Sequence, residues 1–272
     1  AMDEMWSGVP FRNSLDRVSG RPIHLERSPS TYLGAINRSG VAVYTLGGWY
    51  DAFPRDALLW FRNLKVPEKL VLAPWYHLDR HSLALNQEEL RWFDYWLKGI
   101  DNGVTREPRI SYWVLNAPAG KEWRGTNTWP LPSQRLTRFY FQAGPSGSVG
   151  SPNDGRLGRA VPKEEGRDQY RVDYTTTSGK ANRWANTHGG LKPYGDMKEN
   201  DAKALTFTTA PLTGDLEVTG QPVVSLWVSS TAKDGDFFVY LEDVEPSGRS
   251  SHVTEGVLRA SHRRLGTAPY DN

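Results

Sequence analysis

Residues 41–51 read VAVYTLGGWYD, and residues 69–77 read KLVLAPWYH. Each segment starts with an apolar run typical of a buried strand, and residues 53–64 between them have the pattern of a crossover helix. Strand, helix and strand in this order predict two parallel neighbouring strands, whose carboxyl ends meet at one edge of a sheet. The carboxyl group of Asp51 and the imidazole of His77 are therefore expected to lie close together.

An acid and then a histidine at successive strand ends is the arrangement in which an α/β-hydrolase holds the last two members of a Ser-Asp-His triad. The serine of such a triad lies upstream in a Gly-x-Ser-x-Gly turn, where only small neighbours let the backbone pass. In this sequence only Gly144 and Gly248 have a serine two places on, and Ser148 and His252 stand where the final glycine is needed. The sequence therefore contains an acid and a base without their nucleophile, and we expect it to be the downstream part of a serine hydrolase.

The composition narrows the classes of partner. The chain has 272 residues, enough for two domains, and its 33 basic and 31 acidic side chains give a net charge of +2, so no nucleic-acid or membrane surface is expected. It has no cysteine and no ligand spacing typical of a metal site, so neither a metal nor another cofactor is expected. No apolar run approaches the roughly 20 residues of a spanning helix. A soluble protein is expected, with the cytoplasm favoured, and a homo-oligomer stays open.

The predicted elements divide the chain into three parts. Residues 1–37 are broken by prolines and are interpreted as the tail of a cap or insertion region. Residues 38–104 alternate strand and helix, as in the C-terminal part of an α/β-hydrolase domain. The last helix of this part begins near Asn86 and ends at Gly99, a residue suited to a left-handed cap. Its apolar stripe is expected to face the sheet and consists of Leu90, Phe93, Trp96 and Leu97.

Residues 105–272 contain short β-rich segments separated by glycine, proline and serine, which predict a jelly-roll β-sandwich. The segments are 109–115, 136–142, 169–174, 204–208, 217–228, 236–244 and 253–260. Residues 144–168 are predicted to be a long loop, and Trp227, Phe237 and Phe238 are expected to fill the sandwich. The fold class is therefore α/β followed by all-β.

Several blocks of sequence, taken in order, resemble one family. They are GGWYDAF (47–53), APWYH (73–77), LRWFDYWLKG (90–99), PLTGD (211–215), GQP (220–222), DFFVYLEDV (236–244) and GVLRASHR (256–263). They are similar to the end of the hydrolase domain and to the C-terminal jelly roll of the superfamily of X-Pro dipeptidyl-peptidases, cocaine esterases and cephalosporin acylases, which includes the S15 peptidases. The resemblance implies a serine hydrolase that acts on small-molecule ester, amide or peptide substrates by acyl-enzyme chemistry. It also implies that the nucleophile lies upstream and that the jelly roll continues beyond Asn272.

The resemblance gives individual residues a role. His77 would accept the serine proton as general base, and Asp51 would hold the imidazole in the tautomer that presents Nε2 to the serine. The alternative is that Asp51 only caps the helix that follows it. Phe53 resembles an acyl-pocket residue of the family, although a core ring at the start of the helix would give the same pattern. His81 competes for the role of base but lies off the motif. Asp56 competes for the role of acid but lies inside the predicted helix.

Other aromatic and histidine residues are interpreted more plainly. Trp49 and Trp75 either line the pocket or pack beneath its loops. The histidines away from the two motifs are interpreted as solvated or core side chains: His24, His188, His252 and His262. A function of a different class also stays open, in which the chain is a non-catalytic β-sandwich that binds a ligand or another chain and carries a remnant of a hydrolase.

Overall fold

A computed structural model describes residues 13–77, 85–177, 182–188, 193–267 and 270. The α-helices are α1 (Ile23–Arg27), α2 (Leu33–Ser39), α3 (Pro54–Asn63), α4 (Leu85–Lys98) and α5 (Lys198–Asp201). Short 3₁₀ helices occur at Pro29–Tyr32, Val104–Arg106, Ala185–His188 and Ala260–His262. The strands are β1 (Val43–Gly48), β2 (Glu68–Ala73), β3 (Ile110–Trp113), β4 (Trp123–Thr126), β5 (Tyr140–Gln142), β6 (Asn153–Gly158), β7 (Leu205–Thr208), β8 (Asp236–Val244) and β9 (Ser250–Arg259). None of the helices in the described ranges is long and apolar enough to cross a membrane.

The predicted strand-helix-strand unit is confirmed. β1 and β2 are parallel, in a register that runs from Val43 opposite Glu68 to Gly48 opposite Ala73. α3 connects them and begins at Pro54, a suitable first residue because the N–H that proline lacks would have no partner inside the helix. β2 is buried along its whole length, as expected for a strand covered on both faces. The main core cluster consists of Leu58, Phe61, Leu70, Leu72, Ile110, Tyr112 and Trp129.

The sheet of β1 and β2 continues into the β-rich part of the sequence. β3 pairs parallel to β2, and β4 pairs antiparallel to β3, so the order is β1-β2-β3-β4. Ile110 of β3 is fully buried in the same core cluster as Leu70 of β2. The sheet thus extends beyond residue 104, where the α/β part was expected to end, and the domain bounds stay a prediction.

The apolar stripe predicted for α4 does not face the sheet. Three of its side chains are exposed: Leu90, Phe93 and Leu97. The helix instead buries Leu85 and Trp92, and the Trp92 ring lies 5.2 Å from the ring of Tyr44 on β1. The predicted orientation was wrong because α4 has large apolar residues on more than one face, and spacing alone does not decide which face packs on the sheet.

The second half of the chain forms two smaller sheets within the described residues. β6 lies between β5 and β7, antiparallel to the first and parallel to the second, and β8 pairs antiparallel with β9. β5, β7 and β8 fall in predicted strand segments and β9 overlaps the segment 253–260, but β6 falls in residues 144–168, which were predicted to be a loop. Its sequence, NDGRLG, has no apolar alternation that would have revealed a strand.

Two predicted strand segments are absent. Residues 169–174 and 217–228 form no hydrogen-bonded strand, although both lie in the described ranges. A strand needs a neighbour for its backbone donors and acceptors, and no described strand pairs with these segments. Trp227 is fully exposed and Phe238 is 65% exposed, so the expectation that they fill a sandwich was wrong. The jelly roll therefore stays a prediction.

Candidate active site

Backbone hydrogen bonds join the two loops that follow β1 and β2. The Trp49 N–H donates to the Ala73 carbonyl at 2.8 Å, and the Tyr50 N–H donates to the Trp75 carbonyl at 3.0 Å. The pairing of the two strands thus continues past their ends, to the residue before Asp51. As a result, the loops leave the sheet side by side, and the residues that follow are held close together.

Gly48 is required at the point where these loops meet. A Cβ atom at this position would lie 2.2 Å from the carbonyl oxygen of Trp75, well inside any permitted contact. Only glycine lets the two backbones approach this closely. The second glycine of the Gly-Gly-Trp-Tyr-Asp motif therefore has a steric role in bringing Asp51 towards the end of β2.

Asp51 and His77 form the predicted contact. His77 Nδ1 lies 3.0 Å from Asp51 Oδ2, and the other carboxylate oxygen, Oδ1, accepts from the Ala52 N–H at 2.5 Å. The Asp51 side chain is 15% exposed and the His77 side chain 32% exposed. When Nδ1 carries the proton that Asp51 accepts, Nε2 is the ring nitrogen with a lone pair, which is the tautomer of a general base. The roles of the two side chains in a reaction stay a prediction.

The alternative role for Asp51, as the cap of α3, does not fit the helix. Phe53 occupies the N-cap position, and no side chain caps the helix by a hydrogen bond. Asp56, the competing acid, lies in the first turn of α3 and is exposed. His81, the competing base, lies outside the described residues.

One aromatic ring lies beside the histidine, and a second lies beside the first. The Phe53 ring meets the His77 ring edge-on at 5.7 Å, and the Trp184 ring lies 6.4 Å from Phe53 at an interplanar angle of 86°. Phe53 is 45% exposed and Trp184 is 59% exposed, so this pair of rings presents apolar surface to solvent, and Phe53 does so next to His77. Trp184 was not among the candidates because no local motif marks it and it follows Phe53 by more than a hundred residues.

The two tryptophans of the motifs belong to the core. Trp49 packs against the main cluster and donates its indole N–H to the Trp113 carbonyl at 2.8 Å. Trp75 is buried with Val71 and Ala73. They support the loops from beneath rather than line an open surface.

A second contact from the β-rich part reaches the same loop. The side-chain amide of Asn186 donates to the Tyr50 carbonyl at 2.8 Å, and Asn186 is only 3% exposed. Tyr50 directly precedes Asp51 in the sequence. Sequence reasoning missed Asn186 as well, because its partner is distant in the chain.

The remaining histidines do not join this pair. His252 is buried and stacks on Tyr194 with ring centroids 3.9 Å apart, while His262 is exposed. His24 lies in α1, and the side chain of His188 is outside the description. Across the described ranges, no group of three histidine or carboxylate side chains has the geometry of a metal site.

The opposite end of the sheet has a different electrostatic character. Glu68, the first residue of β2, pairs with Arg109, and Lys69 pairs with Glu107. The Glu68 side chain is 3% exposed. Burial raises the pKa of its carboxyl group to about 7, although the charge of Arg109 acts in the other direction.

Comparison with known families identifies the class of protein. Residues 102–269 match the family described as the X-Pro dipeptidyl-peptidase C-terminal non-catalytic domain, and residues 15–79 match the X-Pro dipeptidyl-peptidase family S15. The chain therefore belongs to the S15 peptidase family, a family of hydrolases, which confirms the resemblance found in the sequence.

Individual relatives carry the names of esterases and peptidases. A Mycobacterium bovis protein named as a serine esterase is 38% identical over 290 residues, which cover 98% of this chain and 44% of the relative. The cocaine esterase of a Rhodococcus species is 30% identical over 242 residues, covering 82% of this chain and 41% of the relative. A Bacillus anthracis protein named as an Xaa-Pro dipeptidyl-peptidase is 30% identical over 101 residues, covering 36% of this chain and 16% of the relative. The chain thus spans less than half the length of these relatives.

Proposed function

We propose that this chain contributes the acid and the base of a serine hydrolase that cleaves ester or amide bonds, peptide bonds included, through an acyl-enzyme. The observation that carries the proposal is the 3.0 Å contact between His77 Nδ1 and Asp51 Oδ2 at the carboxyl ends of two neighbouring parallel strands. In folds built on a parallel sheet, the reacting groups lie at the carboxyl ends of the strands. We assign residues 38–104 to the end of an α/β-hydrolase domain and residues 105–272 to a jelly roll.

The nucleophile of this mechanism is a serine outside these 272 residues, because the sequence has no Gly-x-Ser-x-Gly turn. His77 Nε2 accepts the proton of that serine hydroxyl while the serine oxygen bonds to the substrate carbonyl carbon. The carboxylate of Asp51 stabilises the imidazolium that results. The imidazolium then returns the proton to the leaving alcohol or amine as its bond to the carbonyl carbon breaks. A water molecule then attacks the acyl-enzyme through the same proton transfers, which releases the carboxylic acid product and restores the serine. No cofactor takes part.

The aromatic pair beside His77 favours an apolar group on the substrate. The exposed ring of Phe53 lies against the imidazole, and the exposed ring of Trp184 lies against Phe53. An acyl or leaving group that covers them removes apolar surface from water. The names of the relatives, which include a cocaine esterase and Xaa-Pro dipeptidyl-peptidases, are compatible with an ester or a peptide.

Hydrolysis of p-nitrophenyl acetate and p-nitrophenyl butyrate by the 272-residue chain and by a longer protein that includes the upstream half tests this proposal. The longer protein is expected to turn both esters over, and the 272-residue chain is expected to be no faster than its His77→Ala variant. Turnover by the 272-residue chain that is abolished by Asp51→Ala or His77→Ala would mean that it contains its own nucleophile, which contradicts the proposal.

A non-catalytic role is favoured for one part of the chain. The match to residues 102–269 is to a domain described as non-catalytic. We propose that this part shapes the cleft, because Trp184 and Asn186 both contact the loop that carries Asp51 and Phe53. A longer protein that lacks esterase and peptidase activity on every substrate tried would favour the other reading, a binding module built on a hydrolase remnant.

A further inference from the structure

The peptide bond between Tyr50 and Asp51 is held from two sides. On one side, the Asp51 N–H donates to the Gly48 carbonyl at 3.1 Å, within the loop that follows β1. The Tyr50 carbonyl, which belongs to the same peptide plane as the Asp51 N–H, accepts from Asn186 Nδ2 at 2.8 Å. The orientation of this plane sets the direction in which the Asp51 side chain leaves the backbone.

Asn186 is well placed to hold that plane firmly. It is 3% exposed, so water does not compete for its bond to Tyr50. Its own backbone N–H donates to the Arg183 carbonyl at 3.2 Å, within a turn in which Asn182 Oδ1 accepts from the Ala185 N–H at 2.9 Å. Hydrogen bonds within its own turn therefore fix the position of Asn186 independently of its contact with Tyr50.

The turn that carries Asn186 is in turn anchored to β9. Arg183 Nε lies 3.9 Å from Glu255 Oε1, and both side chains are largely buried. Glu255 also accepts a hydrogen bond from the Tyr194 hydroxyl. A continuous set of polar contacts thus leads from β9 in the β-rich part, through Asn186, to the residue before Asp51.

We infer that Asn186 is a positioning residue, which sets the orientation of Asp51 and thereby the hydrogen bond that His77 Nδ1 donates to Asp51. The inference rests on the proposed function for its catalytic meaning, but the geometry it claims is measurable without catalysis. Through Asn186, the β-rich part of the chain contributes directly to the reaction. A displacement of about 1 Å in a catalytic group commonly costs about 100-fold in rate, and we expect Asn186→Leu to lower kcat of the longer protein about 10- to 100-fold.

The structural test uses NMR of the 272-residue chain with ¹⁵N-labelled histidine. The proton on His77 Nδ1, assigned by its loss in His77→Gln, reports the bond to Asp51 directly. Asn37→Leu is the matched control, because Asn37 is a partly buried asparagine whose amide also donates to a distant backbone carbonyl, that of Asn63 at 3.0 Å. Asn186→Leu should broaden this proton signal beyond detection or speed its exchange with water at least tenfold, while Asn37→Leu keeps the exchange rate within twofold of wild type.

The outcomes separate this inference from the function it rests on. Absence of the Nδ1 proton signal in the wild-type chain would count against the Asp51–His77 site itself. A signal that is present and unchanged in Asn186→Leu would contradict only the role of Asn186. If Asn186→Leu does not fold, the isosteric Asn186→Asp, whose carboxylate cannot donate to Tyr50, replaces it with the same expectation. Unfolding of both variants while Asn37→Leu stays folded would also contradict the inference, because Asn186 would then hold the fold rather than the site.

Separate measurement of kcat and KM in the longer protein completes the test. Loss of positioning lowers kcat and leaves KM within about threefold, because the interaction is needed to activate the nucleophile rather than to bind substrate. A rise in KM with unchanged kcat would instead make Asn186 a substrate-binding residue and overturn the inference.

Discussion

Both ends of the β1–β2 pair carry paired ionisable side chains, and the pairs differ in how deeply their members are buried. At the start of β2 the side chains of Glu68 and Lys69 are 3% and 6% exposed, and they are paired with Arg109 and Glu107, which are 48% and 36% exposed. At the carboxyl ends the side chains of Asp51 and His77 are 15% and 32% exposed. At one end each pair joins a buried residue of β2 to a more exposed partner, whereas at the other end the histidine of the pair reaches solvent, where a substrate can meet it. The burial of Glu68 and Lys69 therefore distinguishes the pairs at the start of β2 from the candidate catalytic pair.

The largest expected effect lies at the carboxyl ends. His77→Ala should lower kcat of the longer protein by about 10⁴-fold or more, since the serine hydroxyl is hardly nucleophilic without a base. His81→Ala is the matched control and should cost little, because the motif leaves it out of the proton transfer. Rates at saturating p-nitrophenyl ester measure both variants, and a large loss at His81 with normal turnover at His77 would reverse the assignment.

Leu70, between the two ends, tests whether β2 is the centre of the core. It is fully buried, so Leu70→Ala should lower the free energy of unfolding by about 3–4 kcal/mol. Leu97→Ala removes the same atoms from a side chain that is 77% exposed on α4, and it should change the free energy by less than about 0.5 kcal/mol. Urea unfolding of the three proteins measures this, and equal losses would mean that α4 packs through its predicted stripe after all.

Gly48→Ala tests the close approach that joins the two loops. The new Cβ would meet the Trp75 oxygen, so the loops must separate, and we expect a loss of about 2–3 kcal/mol. The control is Gly256→Ala in β9, where an added Cβ has no atom within 4 Å and the cost should be close to zero. The Nδ1 proton signal of His77 should also weaken in Gly48→Ala. An unchanged signal and stability would show that the loops do not need this contact.

The pH dependence of the free energy of unfolding of Glu68→Gln tests the pair of Glu68 and Arg109 at the start of β2. Because the folded-state pKa of Glu68 is about 7 and the value in the unfolded chain is near its usual 4.5, the unfolded state ionises first as pH rises. The protonated carboxyl favours folding below about pH 4.5, and that advantage is lost between about pH 4.5 and 7. Glutamine cannot ionise, so above pH 7 Glu68→Gln should be more stable than wild type by about 3 kcal/mol.

Urea unfolding at pH values from 4 to 8 follows this difference. Glu89→Gln, at an exposed position of α4, is the control and should follow the wild-type curve. If the free energies of unfolding of Glu68→Gln and wild type differ by the same amount at every pH, burial does not hold a proton on Glu68.

The sequence predicted the part of the site whose signals are local. The apolar runs of β1 and β2 and the motifs at their ends lie within 37 residues, from position 41 to position 77, and parallel pairing then leaves little choice about where Asp51 and His77 lie. Trp184 and Asn186 could not be predicted, because their contacts with Phe53 and Tyr50 depend on how the β-rich part packs. The buried face of α4 was missed because two apolar faces competed. The segment 217–228 was wrongly predicted to be a strand, because its β-prone residues have no described partner strand.

The central claim is that His77 activates a serine that the sequence does not contain, and covalent labelling tests it most directly. A fluorophosphonate reacts with an activated serine, and mass spectrometry of the labelled longer protein locates the adduct. The account predicts one adduct, on a serine outside these 272 residues, formed at least about 10³-fold more slowly in His77→Ala. An adduct on a serine of this chain, such as Ser146 or Ser250, or a labelling rate that His77→Ala leaves unchanged, would contradict it.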